Sequence, residues 1–396
     1  MREKILELSV SSSVLKWARA TVGKSIEDVA RRLNLNTSEI KEWESGGKKL
    51  TLTQLKQLAI FYKRPLAALF LQSPPVESPL PTDFRTLPET VKKAFSEITL
   101  LALRRARRLQ SLTAELLSNL GQNISLEVEK ANLSDSPEEL AKRTRKTFGI
   151  TIEDQFEWSN ELMALNGWKI AIEQRSVLVF ELRFPIEEGR ALSITDGPIP
   201  VIVLNSEDAV NGRIFSLFHE YAHLLLGQGG ICDFTEENKR IELFCNYFAG
   251  ELLVPSSFLL SHPLIKNQLK KVAWSDKDIQ KLARSFKVSR EVILRRLLIL
   301  GIATERYYQK KRKEWELQLH DRKKVSGGRR IPARQCIRQN GIPFTSLVLE
   351  SANKEKITYR DVSDYLSISL KHLPKVEKMI QEGKARYGGS LSWIRD

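Results

Sequence analysis

Apolar positions recur at helical spacing through the first seventy residues. SIEDVARRL (25–33) sets Ile26, Val29, Ala30 and Leu33 on one face behind Ser25, a residue type that caps helix N-termini. After a short NLN turn, TSEIKEWESG predicts a second helix with Ile40 and Trp43 buried and Gly46 ending it. TLTQLKQLAIFY opens on a further Thr cap and turns Leu52, Leu55, Leu58 and Ala59 inward. The proline-rich QSPPVESPLPTDF (72–84) cannot continue a helix and reads as a linker.

From 88 to 146 the period is again helical. VKKAFSEITLLALRRARRLQSLTAELL forms one long candidate, and SPEELAKRTRKTFG opens with Ser-Pro-Glu-Glu, a strong helix start. Between 168 and 205 the apolar runs shorten. WKIAIEQ, VLVFEL, RALSIT and PVIVLN are β-rich, separated by turn residues, and read as strands. Helices are predicted at 214–226 and 237–253, the second closed by Pro255, and again from 276 to 319. IPARQCIRQNG and ITYRDVSDYLSISLKHL predict a small helical C-terminal unit. The expected fold is multidomain and mainly α: an all-α head at 1–72, a linker at 73–90, an α+β domain with helical flanks at 91–320, and a helical unit at 321–396.

A chain of 396 residues accommodates two or three domains. Its 42% hydrophobic and 28% charged residues are ordinary for a globular protein, and a net charge of +15 favours polyanionic partners. Cys232, Cys245 and Cys336 show no CxxC spacing, which argues against a disulfide framework and a thiolate metal site. The N-terminus lacks the continuous apolar run and cleavage site of a signal peptide. No stretch approaches the roughly 18 apolar residues of a membrane helix. The expectation is a cytoplasmic protein with no membrane partner, whose metal chemistry would rest on His and carboxylates.

One segment carries such chemistry. In FSLFHEYAHLLLG (215–227), His219 and His223 stand four apart and share a helical face, so two imidazoles can address one cation. Glu220 flanks the same site, where the HExxH arrangement places a general base. A catalytic zinc with two His takes one more protein ligand and leaves a position for water. RIELFCNYFAGELLVP supplies Glu242, nineteen positions after His223. A lone carboxylate beside so much apolar surface is costly to bury without a cation. Asn246, one turn further on, could orient a ligand. Read without that context, HEYAH is equally a core helix that contains two histidines. His262, His320 and His372 lack ligand-like neighbours in sequence and read as surface or packing residues.

Residues 200–260 resemble the ImmA/IrrE-type metallopeptidases, whose helix reads F-x-x-x-H-E-x-x-H and whose next helix reads E-x-x-A-N-x-F-A-x-x-L-L-x-P. Here these are FSLFHEYAH and ELFCNYFAGELLVP, with Cys245 in place of the usual alanine. The resemblance implies a compact zincin-like α/β unit holding one Zn2+ per chain through His219, His223 and Glu242, with Glu220 as catalytic base. It also implies zinc-assisted amide hydrolysis of a repressor-like protein. Tyr247 and Arg240 lie near in sequence, but no spacing rule makes either an oxyanion partner.

SIEDVARRLNLNTSEIKEWESG has the lengths of a helix-turn-helix: Ala30 permits close helix approach, Leu35 lies in the turn, and Ile40 and Trp43 hold the reading helix. Residues 14–70 resemble the phage-repressor-like (XRE) family. That resemblance places Thr37, Ser38, Lys41 and Glu42 against base edges of a double-stranded operator. Arg31, Arg32, Lys48 and Lys49 are candidate phosphate contacts. A homodimer would match two half-sites. Glu39, Glu42 and Glu44 reduce the attraction to DNA, and a helix-turn-helix kept for protein interaction is the competing reading.

The basic run Arg306–Arg330 could grip phosphates, but its interleaved Glu314, Glu316 and Asp321 favour a solvated helix face. DFRTL (83–87) and ITYRDVSDYLSISLKHL look familiar from long members of the fused family, and no role follows for either. The leading reading is a DNA-binding regulator, in the setting of a stress response, fused to a zinc peptidase that cleaves a regulatory protein. Two others stand beside it: a transcription factor whose peptidase fold only senses a signal, and an antitoxin-like adaptor binding proteins through both units.

Overall fold

The computed structural model describes residues 7–75, 95–122, 128–227, 236–266, 268, 273–320 and 331–386. Most of the proline-rich linker, DFRTL, Cys232 and the end of the basic run (321–330) lie outside them. The described residues form two compact units. The first draws on Met1–Pro79, Leu87–Arg105 and Arg183–Glu188, the second on Ala106–Leu182 and Gly189–Asp396.

The first unit starts with the short strand β1 (Glu7–Leu8), followed by α1 (Ser12–Ala20), α2 (Ile26–Leu33) and α3 (Thr37–Ser45). Ser25 caps α2 and forms a reciprocal capping box with Asp28. Asn34 (φ 56°) and Gly46 (φ 82°) adopt the left-handed conformation that ends α2 and α3. Strand β2 (Leu50–Thr51) pairs antiparallel with β1, a contact the alternation of apolar residues did not signal. It leads into α4 (Leu52–Phe61), capped by Thr51. Val29, Ile40, Trp43, Leu55, Leu58 and Tyr62 fill the core between these helices.

Helix α5 (Glu97–Asn119) is followed by α6 (Pro137–Phe148), α7 (Ile152–Glu157) and α8 (Glu161–Glu173). The last overturns an expectation: WKIAIE is not a strand but the final turns of α8. Trp168, Lys169, Ala171, Ile172 and Glu173 are all buried, so the segment presents no polar face to mark its helical period.

The three remaining strands, β3 (Leu178–Leu182), β4 (Ala191–Ile194) and β5 (Val201–Asn205), form a sheet ordered β3-β5-β4. β3 runs parallel to β5 with Leu178 opposite Val201, while β4 runs antiparallel with Leu192 opposite Val203. Every strand residue is buried, so both faces are covered. Val179, Ala191, Ile202 and Leu204 share one face and join the core built by α8, α9 (Val210–Leu225) and α10 (Glu236–Leu253). On the opposite face Phe180 meets Phe344 edge to face, with ring centroids 6.3 Å apart.

Short helices α11 (Ser256–Ser261) and α12 (Pro263–Lys266) precede α13 (Asp276–Phe286), α14 (Arg290–Ile299) and α15 (Glu305–His320). The C-terminal helices are α16 (Pro332–Asn340), α17 (Ile342–Asn353), α18 (Tyr359–Leu366) and α19 (Leu373–Arg386). α16 and α17 join at Gly341 (φ +74°), which lies close to the sheet. A Cβ there would stand 2.7 Å from Glu173 Oε1 and 2.9 Å from the Val179 carbonyl oxygen, so glycine is required. The chain is therefore multidomain and mainly α, and the C-terminal helices belong to the second unit with the α+β core. Among the described residues no helix is long and apolar enough to cross a membrane.

Candidate metal centre and helix-turn-helix face

Helix α9 is buried continuously from Arg213 to Leu225, and with it the histidine pair. Its start is fixed by Asp208, whose Oδ1 accepts the Ala209 N–H at 2.8 Å and Arg190 Nη1 at 2.7 Å. Gly212 leaves room for that carboxylate, since a Cβ would lie 2.5 Å from Asp208 Oδ2. Farther along, Arg213 forms an ion pair with Glu181 of β3, tying the helix to the sheet.

His219 and His223 then turn their Nε2 atoms toward each other, 3.2 Å apart. From α10, Glu242 Oε2 lies 3.4 Å from His219 Nε2, and Oε1 lies 3.4 Å from His223 Nε2. The three residues offer one ligand atom each within 4.8 Å of one another. Metal–ligand bonds of about 2.0–2.2 Å in a tetrahedral site put neighbouring ligand atoms about 3.3–3.5 Å apart, so this donor set fits Zn2+. Two neutral imidazoles facing nitrogen to nitrogen can share only one N–H, whereas a cation accepts both lone pairs. Burial raises the Glu242 carboxyl pKa, but hydrogen bonds and charge from His219 and His223 outweigh it and hold the group well below the usual carboxylate range. The imidazoles are buried while the Glu242 side chain is 36% exposed, so the cluster opens towards solvent on the α10 side.

Glu220 follows His219 on α9 and is buried as well. Asn246 does not reach a carboxylate. Its Nδ2 donates to the Glu242 backbone carbonyl at 2.7 Å, fixing the turn of α10 that carries that residue. Tyr247 lies beneath the Arg296 guanidinium at 5.4 Å, and Arg296 is itself held by Glu251, Ser256 and the Val254 carbonyl. Cys245 is buried in the core. His262 Nδ1 accepts the Leu264 N–H, and its ring packs near Phe286.

In the first unit, Thr37, Ser38, Lys41 and Glu42 are all exposed on α3, as are Arg31, Arg32, Lys48 and Lys49. The acids that weaken the face separate by role. Glu44 is buried and held by Arg19 through hydrogen bonds of 2.6 and 2.9 Å, so it belongs to the scaffold. Glu39 pairs with Lys48 at 2.9 Å and closes a capping box with Asn36; the Lys48 bond is the main reason its pKa is lowered. Lys48 is thus partly spoken for, and Glu42 is the acid left on the outward face. On α15, Lys310, Lys311 and Arg312 pair with Glu314, Asp276 and Glu291, which matches a solvated helix face.

Sequence reasoning missed Glu181, a fully buried carboxylate that Lys169 reaches at 2.9 Å and Arg338 at 3.6 Å in addition to Arg213. One acid inside the apolar run VLVFEL was the available signal.

These features define a helix-turn-helix unit and a peptidase-like unit with a His-Glu cluster. Comparison of the sequence with known families agrees. Residues 172–298 match the IrrE N-terminal-like domain of peptidase family M78, and residues 15–69 match the helix-turn-helix family. The chain thus joins a helix-turn-helix of the kind found in DNA-binding regulators to an IrrE-like peptidase domain. Searches of curated proteins and of solved structures find no match.

Proposed function

We propose that the chain is a DNA-binding regulator whose second unit hydrolyses a regulatory, repressor-like protein with one zinc ion per chain. The observation that carries this reading is the convergence of His219, His223 and Glu242 at tetrahedral spacing beside buried Glu220. When bound, Zn2+ supplies a Lewis acid for amide hydrolysis. His219 and His223 offer their Nε2 lone pairs, and Glu242 offers a carboxylate oxygen from the solvent side, where a polypeptide can approach. Glu220 takes a proton from the attacking water and returns it to the leaving amine. Asn246 keeps Glu242 in place through the helix backbone. In the first unit, Thr37, Ser38 and Lys41 meet base edges beside Glu42, with Arg31, Arg32, Lys48 and Lys49 towards phosphates. A homodimer presents two such units to paired half-sites.

The test is to incubate a cell lysate with the wild-type protein or Glu220→Gln and to map new protein N-termini by mass spectrometry. The proposal expects a discrete new terminus with the wild type and none with the variant. No new terminus from zinc-loaded wild type would favour the non-cleaving sensor.

A further inference from the structure

Away from the His-Glu cluster, a cleft of about 520 Å³ is lined by Phe156, His262, Lys281, Arg284, Ser285 and Lys287, together with Pro263. It adjoins the end of α10 opposite Glu242. Gln155 donates to the carbonyls of Leu253 and Phe286 there, and the eleven steps from 242 to 253 span roughly 16 Å of helix. The volume falls in the range of about 300–1,000 Å³ typical of small-ligand sites.

The lining holds three cationic side chains and no carboxylate. Lys287 is engaged, donating to the carbonyls of Phe156, Arg284 and Ser285 at 3.3, 3.0 and 3.4 Å. Lys281 and Arg284 are exposed, and among the described residues no carboxylate lies within 4.0 Å of either. On α15, by contrast, three of the five basic side chains, Lys310, Lys311 and Arg312, have an acidic partner.

His262 adds a donor. Its Nδ1 accepts the Leu264 N–H at 3.2 Å, which leaves the proton of the neutral ring on Nε2. Burial and the neighbouring Lys281 charge hold its pKa below the ordinary value, so the neutral form prevails at pH 7. Phe156 adds an apolar surface. It is 39% exposed and stands perpendicular to Phe286, with centroids 5.1 Å apart and planes at 83°. In such a T-shaped pair at least one face of Phe156 is left uncovered by its partner.

We propose that this cleft binds a nucleoside phosphate, with the phosphate held by Lys281, Arg284 and the His262 Nε2–H and the base lying on Phe156. Guanidinium and ammonium groups suit a phosphate, and aromatic–base stacking tolerates any base. A free nucleotide and the end of a nucleic-acid strand offer the same chemistry, and the experiment separates them.

The full-length protein contains five histidines, so the His262 ring signal can be assigned in an NMR spectrum by comparison with His262→Gln. Inorganic phosphate, adenosine, AMP and a short single-stranded oligonucleotide are titrated in turn. AMP should perturb His262 and bind at least about tenfold more tightly than phosphate or adenosine alone, because two subsites act together. Lys281→Gln combined with Arg284→Gln should weaken AMP by about tenfold or more, while Phe156→Ala should reduce AMP to the affinity of phosphate. Lys310→Gln, a charge loss outside the cleft, should change nothing. Four results would each overturn the proposal: no response of His262 to AMP, equal binding of AMP and phosphate, binding of the oligonucleotide alone, or wild-type AMP affinity in the double variant. None of these readouts depends on zinc or hydrolysis.

Discussion

Arg213 of α9 is ion-paired with Glu181 of β3, and Lys169 of α8 reaches the other oxygen of the same carboxylate at 2.9 Å. All three side chains are buried. Burial pushes the Glu181 pKa up, but the charges of Lys169 and Arg213 outweigh it, so the group is an anion. Because Arg213 lies six residues before His219, this pair sets how α9 sits on the sheet and hence where the imidazoles point.

Removing that anion strands two buried cations. Glu181→Ala is expected to destabilise the protein by about 3–5 kcal/mol in urea denaturation. A loss below about 1 kcal/mol would show that water or rearrangement compensates and that the cluster does not hold α9.

Glu173 makes stability depend on pH. Burial raises its pKa to about 8, against the Lys169 charge and a hydrogen bond from the Ile342 N–H, with Glu181 adding to the rise. The folded-state pKa exceeds the ordinary glutamate value of 4.5, so between these values the folded protein binds more protons than the unfolded chain. Stability should therefore fall as pH rises through that window, and the loss should be complete above the folded pKa. Glu173→Gln should remove this part of the slope in melting curves taken across the window. An unchanged slope would place the titration elsewhere.

On the DNA side, Lys41 is exposed on α3, whereas Lys48 is shared with Glu39. If α3 reads DNA, Lys41→Ala should weaken operator binding more than Lys48→Ala. As a base contact, its loss should also relax sequence preference at the position it meets, whereas Lys48→Ala should act alike on all sequences. Equal effects of the two substitutions would mean that the Glu39–Lys48 pair opens on binding. Deleting residues 1–72 should abolish salt-sensitive binding. Unchanged affinity would move the DNA contact to the second unit.

The helix-turn-helix was legible because each boundary is written locally: Ser25, Asn34, Gly46 and Thr51 all cap or end helices by their own chemistry. The His219, His223 and Glu242 grouping was legible because i,i+4 spacing fixes two donors and a later helix supplies the third. WKIAIEQ was misread because a helix buried on every side loses its polar stripe, leaving Lys169 and Glu173 to look like strand ends. The strand order β3-β5-β4 depends on pairing between distant segments that no local pattern encodes. Arg19 was not linked to Glu44 for the same reason, since the two are 25 residues apart.

The central claim is the metal. Elemental analysis of the purified protein beside His219→Ala and Glu242→Ala tests it most directly. About one zinc per wild-type chain is expected, from three protein ligands and one open position, with loss in both variants. Glu220→Gln should keep its zinc. A wild-type protein that stays metal-free after reloading, or variants that hold zinc as well as the wild type, would contradict the assignment and leave α9 a core helix that contains two histidines.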